Sequence, residues 1–317
     1  MSASSSLVSI IVPCYNYGWV LSETLESLQS QLHQNWECFI VDDGSEDATR
    51  EVAQAYVARD PRFQYFYQKN QGVAAARNLA LRQIKGEFVQ FLDGDDLLAP
   101  AKLAIQTAFL AEHPEVDIVY GDVRYFAHGS PQEFMRSFEL TDETWAVPMR
   151  GKGQAVLERF IERNQLVINA PLLRTSLLNR VGLFSSELRS MEDWDFWVRC
   201  ALAGAYFYYD ESPETWSLVR VHPASLSQNK PRMLLYMTRV REQLEKQLVA
   251  MGAEQAVAHN RTELNAAREY SAVYNVRSGN LGIGLRLFWQ TARSTGRYTY
   301  YLRSAVYWWR NRQYSHQ

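Results

Sequence analysis

Short apolar runs alternate with amphipathic stretches along the first 120 residues. Val8–Val12 (VSIIV) is β-branched and closed by Pro13, which predicts a strand buried on both faces. The loop Cys14-Tyr15-Asn16-Tyr17-Gly18 follows, and Leu21, Leu25 and Leu28 then recur at helical spacing as far as about Gln31. Glu37–Val41 (ECFIV) reads as a second strand, Thr49 to about Ala58 as a second helix, and Phe63–Tyr67 as a third strand. The Ala-rich stretch from Gly72 to about Lys85 is helical and ends at Gly86. A further buried run at Phe88–Leu92 precedes a helix from about Pro100 to Glu112 and a strand at Asp117–Tyr120. This alternation predicts βαβ units, hence an α/β fold with a mostly parallel sheet flanked by helices.

The pattern loosens between about Ala127 and Asn164, where Gly129, Ser130, Pro131, Pro148, Gly151 and Gly153 punctuate a long excursion around one helix near Gln154–Arg163. Order returns as a strand at Val167–Leu173, a helix from Met191 to about Ala203, and strands at Tyr206–Tyr209 and Leu218–Val221. Beyond these the chain reads as helical, with amphipathic candidates at Leu234–Met251 and Glu263–Val276. The expected organisation is a domain over 1–230, with halves 1–120 and 121–230, followed by a helical extension over 231–317.

Charge sharpens that boundary. The net charge is −2, yet residues 1–230 hold 20 Lys+Arg against 30 Asp+Glu, while residues 231–317 hold 13 against 5. The stretch Leu281–Gln317 has six arginines and no acid, interleaved with Phe288, Trp289, Tyr298, Tyr300, Tyr301, Tyr307, Trp308, Trp309 and Tyr314. Such a basic aromatic segment suits a peripheral contact with a membrane surface, or equally an appendage whose aromatics pack and whose arginines are solvated. The 47% apolar and 21% charged fractions are those of an ordinary globular protein. Three cysteines (Cys14, Cys38 and Cys200) are widely spaced and give no disulfide framework or metal spacing. Together with an N-terminus lacking a secretion signal and the absence of an 18-residue apolar run, they imply a cytoplasmic protein, peripheral at the inner membrane face if the tail binds lipid. Nothing points to nucleic acid.

Candidate chemistry gathers where strands end. Phe88–Leu92 runs into Asp93-Gly94-Asp95-Asp96, and Asp-x-Asp on a sheet rim suits a hard divalent cation with a diphosphate as co-ligand. An acidic turn in which Asp96 caps the next helix is the competing reading. Pro13, Tyr15 and Asn16 lie beside Asp42-Asp43-Gly44-Ser45 on the same rim. There an acid can accept the imide N–H of uracil and Tyr15 can stack; a turn with a helix N-cap explains the second loop as well. Arg77 can pair with phosphate or with one of these acids. Glu192 and Asp193 open an aromatic-rich helix where Trp194 and Trp197 could desolvate a general base, although acids also favour a helix start through its dipole. His222 follows the last strand as a third ligand candidate.

Strand-Pro-x-Tyr-Asn, strand-Asp-Asp-Gly-Ser, Gly-Val-x-x-x-Arg-Asn, strand-Asp-Gly-Asp-Asp and Glu-Asp-Trp-Asp-x-Trp, in that order over residues 7–227, resemble the family-2 inverting glycosyltransferases with the GT-A fold. The resemblance implies a Rossmann-like nucleotide-binding half and transfer from a nucleotide-sugar, usually a UDP-sugar, to a hydroxyl of a saccharide or lipid-linked saccharide. Pro13, Tyr15 and the Asp43 loop would hold the base, with Asn16 and Asp42 beside them, and Arg77 would help hold the nucleotide. Asp93 would face the ribose next to Gly94, and Asp95 would bind Mn²⁺ or Mg²⁺ across the diphosphate. Asp193 would be the general base, with Glu192 beside it. Arg220-Val221-His222-Pro223, with Ser225 and Ser227, would form a closing loop. Asp96 stays with capping or support. A non-catalytic nucleotide-sugar-binding or membrane-associated module is the alternative.

Overall fold

A computed structural model describes residues 6–130, 132–143, 148–223, 225, 229–297, 299 and 306. Ser227 and the aromatics Tyr298, Tyr300, Tyr301, Tyr307, Trp308, Trp309 and Tyr314 lie outside the described residues. The chain divides into two compact units, Met1–Ala224 and Ser225–Gln317.

The first unit is an α/β fold on a seven-stranded, mostly parallel sheet. Its strands are β1 (Val8–Cys14), β2 (Trp36–Asp42), β3 (Phe63–Tyr67), β4 (Phe88–Phe91), β6 (Ile118–Tyr120), β8 (Pro171–Arg174) and β9 (Phe207–Tyr209). They lie in the order β3-β2-β1-β4-β8-β6-β9. Every neighbouring pair is parallel except those made by β8, which runs antiparallel to both β4 and β6. The central strands are buried along their whole length, as unbroken runs such as VSIIV require. The helices α1 (Leu21–Gln29), α2 (Thr49–Val57), α3 (Val73–Leu81) and α4 (Lys102–Glu112) occupy the predicted crossovers.

A second sheet of three strands builds the other wall of the rim. In it β10 (Ser217–Val221) lies between β5 (Leu97–Leu98), to which it is antiparallel, and β7 (Val123–Ala127), to which it is parallel. Because β5 starts one residue after Asp96 and β10 ends one residue before His222, this sheet draws the two segments together. The remaining helices of the unit are α5 (Gln154–Glu162), α6 (Thr175–Val181) and α7 (Glu192–Leu202).

Three aromatics fix α7 behind β4. Phe184 stacks on Phe196 with centroids 4.5 Å apart and meets Phe91 edge-on at 5.1 Å. All three are buried, and each contributes about 1.5–3 kcal/mol through lost water contact. Trp194 Nε1 donates to the Phe160 carbonyl at 2.9 Å, tying α7 to α5 as well.

The structure departs from the sequence expectation in five places. β5, β7 and α6 were not expected. The apolar segment Val167–Leu173 is a strand only from Pro171, because 168–170 turn along the rim. In the second unit, α8 (Lys230–Ala250) and α10 (Leu281–Thr295) flank α9, which spans Glu254–Arg277 and starts nine residues earlier than its amphipathic pattern. No helix among the described residues is long and apolar enough to cross a membrane.

Candidate active site

The C-terminal ends of β1, β2 and β4 face the same way, so the segments 15–18, 43–47 and 93–96 share one rim. The first two are stitched together by the backbone. Asn16 N donates to Ser45 Oγ, Glu46 N to Asn16 Oδ1, Tyr17 N to Thr49 Oγ1 and Gly18 N to Asp47 Oδ2, each at 2.9 Å. Asn16 takes a left-handed conformation (φ 57°) to make these contacts, which asparagine tolerates better than most residues. Tyr15 stands out from this scaffold with 47% of its surface exposed. Pro13 is buried beneath it, and its carbonyl faces Gly94. A Cβ on Gly94 would sit 2.8 Å from Cys14 Sγ and 3.0 Å from the Pro13 oxygen, so only glycine lets the two loops approach this closely.

Asp42 and Asp43 both spend hydrogen bonds inside the protein. Asp42 is fully buried and accepts from Ser45 N at 2.8 Å and the Tyr65 hydroxyl at 2.7 Å. Asp43 accepts from Gln68 Nε2 at 2.6 Å, Gln71 N at 2.8 Å and Gly72 N at 2.8 Å. It thereby holds Gln71 and Gly72, the two residues that lead into α3. Asp43 Oδ2 takes one of these three bonds and keeps acceptor capacity.

Arg77 of α3 is the link between the two halves of the rim. It is buried; Nη2 donates to Asp93 Oδ1 at 2.6 Å and Nη1 to Glu192 Oε1 at 2.5 Å. This one guanidinium brings together three of the predicted residues from separate elements. Burial raises the Asp93 carboxyl, Arg77 opposes that shift, and Asp95 adds to it. Asp193 is partly buried on the first turn of α7, just after Met191, which is left-handed at φ 59°. Its Oδ1 accepts from Trp194 N at 2.7 Å and its Oδ2 from Asn164 Nδ2 at 3.0 Å. Burial, reinforced by the charge of Glu192, pushes its carboxyl up to about 7.

Asp95 and His222 form the second junction, Nε2 to Oδ2 at 2.8 Å, with both side chains buried. Trp19, partly exposed, meets His222 edge-on at 5.1 Å and His128 at 4.7 Å. Arg220 fastens the acidic loop from the opposite side. Its N–H donates to Asp96 Oδ1 at 2.7 Å, its Nε to the Asp95 carbonyl at 2.8 Å and its Nη2 to Glu23 Oε2 at 2.8 Å. Burial holds the Asp96 carboxyl well above the usual range, and Asp95 and Asp93 add to the shift.

A carboxylate oxygen is the ligand type that Mn²⁺ and Mg²⁺ prefer, so Asp95 fits a cation that completes its shell with diphosphate oxygens and water, while His222 Nε2 holds the Asp95 carboxylate in place. Among the described residues no group of three or more His, Cys, Asp and Glu gathers around one point.

Three residues outside the sequence expectation hold this arrangement. Asn169 is fully buried; its Oδ1 accepts from Asp93 N at 2.8 Å and its Nδ2 donates to Asp96 Oδ2. Asn164 orients Asp193, and Glu23 of α1 pairs with Arg220. Asn169 is the one the sequence signals, as a polar residue set between apolar Ile168 and Ala170 ahead of a strand.

The profile of Glycosyl transferase family 2 matches residues 9–174. An uncharacterized glycosyltransferase of Rickettsia felis is 32% identical over 195 residues, which are 61% of this chain and 30% of that protein. The putative teichuronic acid biosynthesis glycosyltransferase TuaG of Bacillus subtilis is 43% identical over 107 residues, 33% of this chain and 42% of that one. The chain thus spans about a third of the length of the first of these relatives. Among solved structures, S. aureus TarS is 26% identical with a TM-score of 0.56, covering 74% of this chain and 39% of TarS. Its 1–349 segment in complex with UDP-GlcNAc is 19% identical with a TM-score of 0.58, covering 92% of each chain.

Proposed function

The chain belongs to glycosyl transferase family 2, and we propose that it is an inverting, metal-assisted transferase. It moves a sugar from a nucleotide diphosphate, UDP by preference, to a hydroxyl of a saccharide or lipid-linked saccharide in cell-surface polysaccharide or glycolipid assembly. The observation that carries this reading is the Arg77 bridge, which sets Glu192, the neighbour of the candidate base Asp193, against Asp93 on one rim. The UDP-GlcNAc of TarS and the printed role of TuaG favour UDP and surface polymers.

In this reading Tyr15 stacks on the base, Asp43 Oδ2 receives the imide N–H, and Asp93 takes the ribose. Asp95, with His222 beside it, would hold Mn²⁺ or Mg²⁺, which when bound stabilises negative charge on the leaving diphosphate. Asp193 takes the proton of the attacking hydroxyl on its carboxylate. A carboxyl pushed up to about 7 is a stronger base than an ordinary aspartate. Attack opposite the leaving group inverts the anomeric centre in one displacement, with no protein nucleophile. Arg77 keeps Glu192 and Asp93 paired, so that their charges do not repel Asp193 and the diphosphate unopposed.

Thermal shift across UDP-, GDP- and dTDP-sugars with Mn²⁺ tests the donor class. A UDP-sugar giving the largest stabilisation supports it, and no response to any nucleotide-sugar refutes it. The arginine-rich segment 281–317 adds a peripheral membrane contact to the proposal. Failure of the full chain to bind anionic liposomes at low salt would remove that part alone.

A further inference from the structure

A cavity of about 310 Å³ opens at the C-terminal ends of β6 and β9, lined among others by Asp122, Arg124, Arg136, Gln165, Tyr209 and Trp216. None of these residues has a part in the nucleotide or proton chemistry above. Chain neighbours nevertheless tie the cavity to that site. Gln165 follows Asn164, which holds Asp193; Ala170 follows Asn169, which holds Asp93 and Asp96; and Trp216 precedes Ser217, whose Oγ donates to the Asn169 carbonyl at 2.7 Å.

We propose that this cavity is the subsite that seats a neutral saccharide ring of the acceptor, with Trp216 as its platform and the charged side chains around Tyr209 as its hydroxyl-reading groups. The inference rests on the transferase reading. Trp216 carries the Arg124 guanidinium 4.2 Å over its ring and meets Phe134 at 6.3 Å, so the indole is held in place while still lining the cavity. A rigid aromatic surface suits the C–H face of a sugar. Arg124 is ion-paired to Asp122, and Glu211, also on the wall, is paired to Arg150 at 2.8 Å. The Tyr209 hydroxyl lies among these charges: burial and then Asp122 raise it, and Arg124, Glu211 and Arg136 also act on it.

The balance of charge selects the ligand class. A phosphate or carboxylate would meet Asp122 and Glu211, and a cation would meet Arg124 and Arg136. Hydroxyl groups both donate and accept, so a neutral polyol satisfies acids and arginines together. A volume near 300 Å³ lies at the small end of ligand pockets, which suits one or two rings.

Saturation-transfer NMR with the methyl β-glycosides of glucose, galactose, N-acetylglucosamine and glucuronic acid tests the assignment, with UDP affinity measured in parallel by calorimetry. At least one neutral glycoside is expected to bind wild-type protein. Trp216→Ala should weaken it at least about tenfold, and Tyr209→Phe, which removes only a hydroxyl, by roughly 3–10-fold, with UDP affinity unchanged in both. Retained UDP binding also shows that each variant is folded. UDP bound with no neutral glycoside recognised, a glycoside unaffected by both variants, or stronger binding of the glucuronide would each overturn the subsite and leave the transferase reading standing. Failure to bind UDP would strike that reading instead.

Discussion

Asn164 Nδ2 donates to Asp193 Oδ2 over 3.0 Å, and this bond favours the ionised carboxylate against the burial and the Glu192 charge that oppose it. Arg77 and the Trp194 N–H lower it as well, and the balance leaves Asp193 at about 7. If transfer needs the carboxylate, kcat/KM is low in acid, rises as pH climbs through about 7, and levels off above it. Asn164→Ala removes a stabiliser of the charged form, so the rising limb should move to higher pH by roughly one unit. A pH–rate profile of wild type and variant checks both statements, and a limb that stays in place sinks the link between Asn164 and the base.

Arg77 neutralises two carboxylates at once. Arg77→Ala would leave Glu192 buried without its partner and is expected to cost about 3 kcal/mol, at the lower end for a broken buried pair because the Asp93 side chain is 32% exposed. Arg77→Lys keeps the charge but cannot make the two-armed contact, so it should fall between. The loss should shrink as pH falls and the orphaned Asp93 carboxyl, raised by burial, protonates. Urea unfolding at neutral and acidic pH reads this directly, and equal losses at both would contradict the electrostatic origin.

The first 120 residues declare the fold because each element there is a self-contained pattern: an apolar run, a turn, an amphipathic stretch. The same holds for the acids, whose loops follow directly from buried strands. What escaped has no local period. Leu97–Leu98 is a two-residue strand that exists only because β10 crosses it, and β7 mixes Arg124 into its run, with the charge answered by Asp122 and Trp216. The antiparallel course of β8 is decided by where its neighbours lie. Asn169, Asn164 and Glu23 are single polar residues, and the partners of Asn169 and Glu23 lie 48 to 197 positions away. The contact of Asn164 with Asp193 likewise depends on how α7 docks. Helix α9 begins early because Glu254, Gln255, Ala256, Ala258 and Arg261 are good helix formers, although the stretch Glu254–Thr262 has no clean apolar stripe.

Asp95 and His222 are expected to act together on the cation. In calorimetry with Mn²⁺, Asp95→Ala should lose the metal-dependent part of UDP-sugar affinity, about tenfold or more, while His222→Ala loses less because carboxylate is the better ligand for this ion. Affinity of Asp95→Ala equal to that of wild type, with and without Mn²⁺, would refute the role of the pair.

Asp193→Asn keeps the shape of the side chain and removes its basicity. Nucleotide release from a bound UDP-sugar in the presence of a glycoside acceptor should be at least a hundredfold slower in this variant than in wild type, with donor affinity in calorimetry changed by no more than about twofold. Turnover by Asp193→Asn at the wild-type rate would contradict the central claim that this carboxylate draws the proton from the acceptor.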